Sequence, residues 1–273
     1  MTEIARAKVN LALHVTALRD DGYHLLDSLV TFTEFGDHLD CTAADAFSLQ
    51  ITGPFSKALA PSASNLVTDA ARRFARDGVS VTLDKHIPIA AGLGGGSCDA
   101  AATLRMLSNF WDEDLPKDEG LSLGADVPVC LYQRPAIMRG IGEELTPLPD
   151  MPAFPILLVN PGKAVSTADV FRNLTQKENA PLDPVPISAS IEDWIAYLAQ
   201  QRNDLERPAC DVLPEISQVL DALSTAPLAR MTGSGATCFA LFQTDEARDR
   251  LAAEIKARHP NWWVMPTRTL AGK

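Results

Sequence analysis

The stretch "IAAGLGGGSCDAA", residues 89–101, decides the fold, because it sets four glycines into five positions and then runs into alanines. Ordering a glycine costs more backbone entropy than ordering any other residue, so this much bare backbone must serve something. It is not a Walker A loop, since the chain has no Gly-Lys-Ser/Thr tripeptide. Nor is it a dinucleotide fingerprint, because Ser97 stands where the third glycine belongs. Working outward, "VSVTLDKHIP" before the loop reads as a strand. "SCDAAATLRMLSNFW" after it reads as a helix with Ala100, Leu104, Leu107 and Trp111 along one stripe. Strand, glycine loop and helix in that order bring free backbone amides to the positive end of a helix, which makes a cradle for an anion. Asp99, expected in the first turn, would complement the helix dipole. The plainer alternative is a packing loop whose glycines allow a tight turn.

Further out, "IARAKVNLALHVT" alternates with period two. Ala7, Val9, Leu11, Leu13 and Val15 make an apolar back, and Arg6, Lys8, Asn10 and His14 a polar front, as in a half-buried strand. Asp21-Gly22 signals a turn, and "SNLVTDAARRFARDG" predicts a helix from about Ser64 to a stop at Gly78. Pro147 and Pro149 mark a linker, which gives two expected domains, 1–150 and 151–273. In the second half, "SIEDWIAYLAQQ", "LPEISQVLDALSTA" and "TDEARDRLAAEIKAR" predict helices, while "CFALF" and "WWVMPTRTL" predict strands.

Composition narrows the function classes. The 273 residues are 46% hydrophobic and 22% charged, as in an ordinary soluble globular protein. A net charge of −11 argues against a nucleic-acid binder, yet a few lysines and a helix end suffice for a phosphorylated small molecule. Neither a signal peptide nor a membrane-spanning apolar run is expected. Five scattered cysteines without a C-x-x-C pair point to reduced thiols in a cytoplasm and away from structural zinc.

Two residues stand out for chemistry. Lys8 is a cation on the polar face of the first strand, and Asp126 is a carboxylate set among Leu123, Ala125, Val127, Val129 and Leu131. The alternatives are a solvated lysine and a capping aspartate. If the two meet, they form the pair that phosphoryl transfer requires, an acceptor for a hydroxyl proton and a cation beside it. Tyr23 and His24 follow a turn, where core packing and a surface position are the ordinary readings.

Taken together, "AKVNLALHV", "DGYHLLDS", "SNLV", "DKHIPIAAGLGGGSCDAA", "LGADVPV", "RGIGEELTPL", "STADVF", "RNDLE" and "MTGSGATCFALF" resemble the GHMP kinase superfamily from Ala7 to Phe242. "DGYH" and "LGADVP" point within it to kinases of a cytidine-diphosphate-linked methylerythritol. The resemblance implies a two-domain α/β (α+β) fold with the active site in the interdomain cleft. It implies ATP and Mg2+ as cofactors, a place in non-mevalonate isoprenoid synthesis, no nucleic-acid or membrane partner, and a monomer or weak homodimer. It assigns Lys8 and Asp126 as the catalytic pair and Asn10 as substrate support. Tyr23 and Phe171 would clasp the cytosine, His24 would hydrogen-bond it, and Asn65 and Lys85 would lie by the nucleoside of ATP. Pro88, Ile89, Ala90, Ala91, Gly92, Leu93, Gly94, Gly95, Gly96, Ser97 and Cys98 would form the phosphate loop, and "MTGSGAT" the third glycine motif. The chain departs from the pattern at Cys98, where a second serine is usual, and at Val129 and Cys130, where aromatic residues are common. The segment from Trp111 to Leu123 is also short.

Overall fold

Period two runs far into the N-terminal half. A computed structural model of the chain describes residues 1–59 and 65–272, and its first two strands are long: β1 (Thr2–Leu18) and β2 (His24–Ala43). They pair with each other. Every residue of β1 from Ala7 to Val15 is buried, so the polar front carrying Lys8, Asn10 and His14 is covered rather than solvated. The turn between the strands closes at Gly22, whose φ of +88° suits a residue without a Cβ.

The chain forms two compact units, and no single cut separates them. The first takes Met1–Lys8, Phe35–Ile89 and Gly94–Gln133. In it the far half of β2 pairs antiparallel with β4 (Val79–Asp84), and β3 (Ser48–Thr52) pairs parallel with β4. Among the described residues its α-helices are α1 (Leu66–Ala71), α2 (Gly95–Trp111) and α3 (Val127–Tyr132), with α2 packed against both others. α1 is shorter than its sequence pattern predicts. It tightens into a 3₁₀ turn at Arg72–Phe74 and ends at Ala75, whose φ is +45°. The expected start at Ser64 lies outside the described residues. α2 starts two residues early, at Gly95, which puts Asp99 beyond the first turn and corrects its expected role toward the helix dipole.

The second unit takes Val9–Glu34, Ala90–Leu93 and the chain from Arg134 onward. The near half of β2 pairs there with β5 (Ala136–Gly140), and β5 with β6 (Glu144–Pro147). A four-stranded antiparallel sheet runs in the order β10-β7-β9-β8, from Trp263–Arg268, Pro155–Asn160, Cys238–Leu241 and Leu228–Met231. All six residues of β7 are buried, as its continuous apolar run predicts. The helices are α4 (Thr167–Asn173), α5 (Ile191–Gln200), α6 (Glu206–Val212), α7 (Glu215–Leu223) and α8 (Asp245–Arg258). α7 and α8 pack on the sheet, and one hydrophobic cluster joins Leu157, Val219, Phe242 and Ile255 with Leu13 and Val15 of β1. Among the described residues no helix is long and apolar enough to cross a membrane.

Arg230, on β8, ties this unit together from inside. Its guanidinium donates to the carbonyls of Leu11 at 2.8 Å, Leu198 at 2.9 Å and Gln201 at 2.6 Å. Burial pulls its pKa down to about 10, against a smaller opposing pull from Glu206. Truncation would leave three buried carbonyls without their donor, at about 1–3 kcal/mol for each unsatisfied group. Arg230→Met should therefore lower the urea midpoint by an amount equivalent to about 3 kcal/mol or more. An unchanged midpoint would mean that water takes over the donor's work.

Candidate active site

In the first unit the glycine run shapes the head of α2. Gly94 is the N-cap residue, left-handed at φ +63°, and no side chain caps the helix. The amides of Gly95, Gly96 and Ser97 thus have no intrahelical acceptor, while the Cys98 amide bonds back to the Gly94 carbonyl at 2.8 Å. Three undersatisfied donors at a positive helix end form an anion site. A Cβ at Gly94 would stand 3.3 Å from the Lys8 stem, so the lysine lies directly against the loop.

Lys8 and Asp126 meet. The Lys8 Nζ is 2.7 Å from Asp126 Oδ1, with the lysine side chain 4% exposed and the aspartate 37%. Asp126 is the N-cap residue of α3, but its side chain makes no capping bond, which leaves the carboxylate to the lysine. Burial alone would pull the Lys8 ammonium down; the Asp126 carboxylate outweighs it and holds the group above its ordinary value. Lys8 is therefore a cation across the physiological range.

A second cation lies under the same loop. Lys85 is buried between Asp37 and Asp99, with Nζ at 2.5 Å and 2.6 Å from their carboxylates, and a Cβ at Gly95 would stand 3.1 Å from that nitrogen. Burial disfavours the Lys85 charge, and the two carboxylates more than restore it. Asp99 is pushed well above the usual carboxylate range, chiefly by burial, and its Oδ1 has no hydrogen-bond partner. Asn65 caps α1, its side-chain oxygen accepting from the Val67 amide at 2.9 Å. Pro88 is buried and Ile89 half-buried on the approach to the loop. Cys98 is 2% exposed, against Cys130.

The remaining loop residues belong to the second unit. Ala90 is exposed and Leu93 buried, while the Ala91 carbonyl accepts from the Thr237 amide at 3.1 Å. Gly92 has φ +73°, and a Cβ there would fall 2.5 Å from the Thr232 carbonyl oxygen. Asn10 is buried, its amide donating to Ser28 Oγ at 2.8 Å and its backbone N–H to Thr232 Oγ1 at 2.9 Å. Tyr23 is 58% exposed, which removes the core-packing alternative. His24 lies on Phe171 with ring centroids 4.8 Å apart, and the buried His24 Nε2 has no hydrogen-bond partner. Burial, then the charge of Lys177, lowers the His24 pKa, so its imidazole is neutral at pH 7. Phe171 sits on α4, half-buried against the unit's hydrophobic cluster.

Sequence reasoning missed Asp37, Ser28 and Thr232. Thr232 lies within a glycine turn that was legible as a motif, whereas nothing local marks Asp37 as a partner for Lys85.

This fold and these sites define a GHMP kinase. Residues 65–134 match the model for the GHMP kinases N terminal domain, and residues 189–261 that for GHMP kinases C terminal. The 4-diphosphocytidyl-2-C-methyl-D-erythritol kinase of Cereibacter sphaeroides is 50% identical over 98% of this chain and 99% of its own length. A crystal structure of 4-(cytidine 5'-diphospho)-2C-methyl-D-erythritol kinase superposes with a TM-score of 0.82 at 31% identity, covering 100% of both chains. Homoserine kinase from Cytophaga hutchinsonii shares the fold, with a TM-score of 0.68 at 16% identity over 99% of this chain and 94% of its own. The chain belongs to the 4-diphosphocytidyl-2-C-methyl-D-erythritol kinase family.

The two ends of the glycine run should respond differently to a methyl group. Gly92→Ala meets a carbonyl oxygen in a left-handed conformation and should cost more than about 1 kcal/mol of stability. Gly96→Ala, exposed within α2 and 3.4 Å from Leu66 Cδ1, should leave the melting temperature within a degree or two, roughly the effect of an ordinary surface change. Equal melting temperatures for the two variants would contradict the close approach at Gly92.

Proposed function

We propose that this chain transfers a phosphoryl group from ATP to the 2-hydroxyl of 4-diphosphocytidyl-2-C-methyl-D-erythritol, a step in the non-mevalonate supply of isoprenoid precursors. The observation that carries the reading is the Lys8–Asp126 pair, 2.7 Å apart and beside the uncapped amides of α2. Asp126, the more exposed partner, accepts the proton of the attacking hydroxyl as oxygen bonds to phosphorus and the bond to the departing diphosphate breaks. Lys8 fixes the orientation of that carboxylate and places a permanent positive charge where negative charge gathers. The amides of Gly95, Gly96 and Ser97 hold phosphate oxygens without rearranging during the reaction.

Magnesium fits this arrangement. Among the described residues no three His, Cys, Asp or Glu side chains stand together as a cage, and a cation that travels with nucleotide phosphates needs only one or two protein oxygens. The Ser97 hydroxyl, half-buried in the first turn of α2, is a donor of that kind. When bound, the cation would offset phosphate charge.

For the base, the second unit offers an exposed tyrosine, a phenylalanine braced by the core, and a neutral imidazole with one nitrogen unpartnered. Tyr23 and Phe171 supply stacking surface, and His24 a polar contact to the cytosine edge. Asn10, held by Ser28 and Thr232, lies two residues beyond Lys8 in β1 and supports the substrate.

Asp126→Asn keeps the shape and loses the proton acceptor, so kcat should fall about 10²- to 10⁴-fold while ATP binding stays nearly unchanged. More than a few per cent of residual activity in a coupled ADP-release assay would remove Asp126 as the base.

Tyr23→Ala or Phe171→Ala should forfeit about 1–3 kcal/mol of stacking, raising KM for the cytidine substrate about 5- to 150-fold with a smaller effect on ATP. His24→Ala should erode discrimination between cytidine and uridine diphosphate analogues. A lower melting temperature with unchanged cytidine KM would leave a GHMP kinase acting on another alcohol.

A further inference from the structure

Cys98 and Cys130 do no work in the phosphoryl-transfer scheme, yet they are built against each other. Cys98 is the fourth residue of α2 and Cys130 the fourth of α3; they are 2% and 1% exposed, with sulfurs 3.3 Å apart. A disulfide requires about 2.05 Å, so each sulfur need move only about 0.6 Å toward the other. Both helices belong to one compact unit and pack together, which keeps the thiols facing each other in the folded chain.

We propose that Cys98 and Cys130 are an oxidisable dithiol site that a hydroperoxide closes to a disulfide, and that closure switches off phosphoryl transfer. Cys98 sulfur attacks the peroxide oxygen, forming a sulfenic acid and releasing one water. Cys130 sulfur then attacks Cys98 sulfur, forms the S–S bond and releases the second water. Two thiols and one hydrogen peroxide thus become one disulfide and two waters. The order follows the surroundings. Cys98 sulfur lies against Gly94, where a Cβ would stand 3.7 Å from it, so the loop residue beside it carries no side chain. Cys130 is enclosed, and burial followed by the Cys98 contact pushes its thiol well up, so it does not open the reaction; its 3.3 Å distance from Cys98 sulfur is what brings it into the second, intramolecular step.

Both cysteines are coupled to the machinery through their own backbone. The Cys130 amide donates to the Asp126 carbonyl at 3.2 Å, and the Cys98 amide to the Gly94 carbonyl at 2.8 Å. Drawing the sulfurs together pulls on the residue that carries the base and on the residue that opens the amide cradle. A misplacement of about 1 Å at such groups costs on the order of 10²-fold in rate.

The fully reduced chain is treated with hydrogen peroxide, quenched, and digested without reductant for mass analysis, with initial rates measured in parallel. The expected result is a Cys98–Cys130 peptide pair lighter by two hydrogens, a rate lower by about 10²-fold, and recovery with dithiothreitol. Cys130→Ala should start at the parental rate, form no cross-link and keep its activity in the same peroxide. Absence of the Cys98–Cys130 pair in the oxidised parent overturns the site, and this readout needs no variant to fold. A cross-linked enzyme at full rate, or Cys130→Ala inactivated as fast as the parent, overturns the switch. The switch rests on the kinase reading, whose own failure would appear as no ADP release from the reduced chain, whereas the cross-link is read without any activity.

Discussion

Lys85 is the nail on which the first unit hangs. Its ammonium sits between Asp37 on β2 and Asp99 on α2, at the point where β4 gives way to the glycine loop. Asp37 also accepts the amides of His86 and Ile87, so one carboxylate holds three successive residues of the chain leaving the sheet. Removing one member of such a buried cluster leaves the others uncompensated, at a cost that neutral packing would never incur. What the arrangement secures is position. The entry to the loop and the helix that leaves it are pinned to the same nitrogen, and the amides between them have little freedom to turn away.

The Lys8–Asp126 pair has a different purpose. A salt bridge with one partner over a third exposed contributes little to stability, because water screens it and competes for it. Its asymmetry is useful for chemistry instead. The lysine is sunk in the protein and cannot wander, while the aspartate reaches solvent, as the proposed base must. In the proposed reading, recognition of the base falls to side chains of the other unit, where an imidazole nitrogen lies buried and unpartnered. On that reading, phosphate grip and base recognition would draw on separate sets of residues.

Much of this was legible in sequence where the signal is local. The alternation of β1, the glycine run, the long helix α2 and the helices α5, α7 and α8 all follow from periodicity and turn residues. The motifs in order identified the family. Short helices escaped: α4 and α6 have seven residues each, too few turns for an apolar stripe to repeat. The Ser166 cap accepting from the Asp169 amide was the one local sign of α4. Buried polar residues escaped as well. The polar face of β1 reads as solvated, because sequence shows the period but not what lies over the strand. The cluster of Asp37, Lys85 and Asp99 and the facing thiols of Cys98 and Cys130 are brought together only by tertiary packing, for which single-residue patterns carry no mark.

The division of β1 between the two units sets a timetable for synthesis. Val9 to Val15 are made long before their partners: Leu13 takes backbone partners from Arg202 and Asp204, and Arg230 reaches Leu11 later still. At about 5–20 residues per second, the ribosome needs roughly 10–40 s to supply them. The first unit can close once Gln133 has emerged, but an apolar strand of the second unit is left waiting beside the nascent chain. During that interval Val9, Leu11, Leu13 and Val15 have β2 beside them but lack their later partners, which leaves a β-prone apolar face of the kind that chaperones bind. The same alternation that makes β1 the most readable element also makes it the segment of the newborn protein in greatest need of shelter.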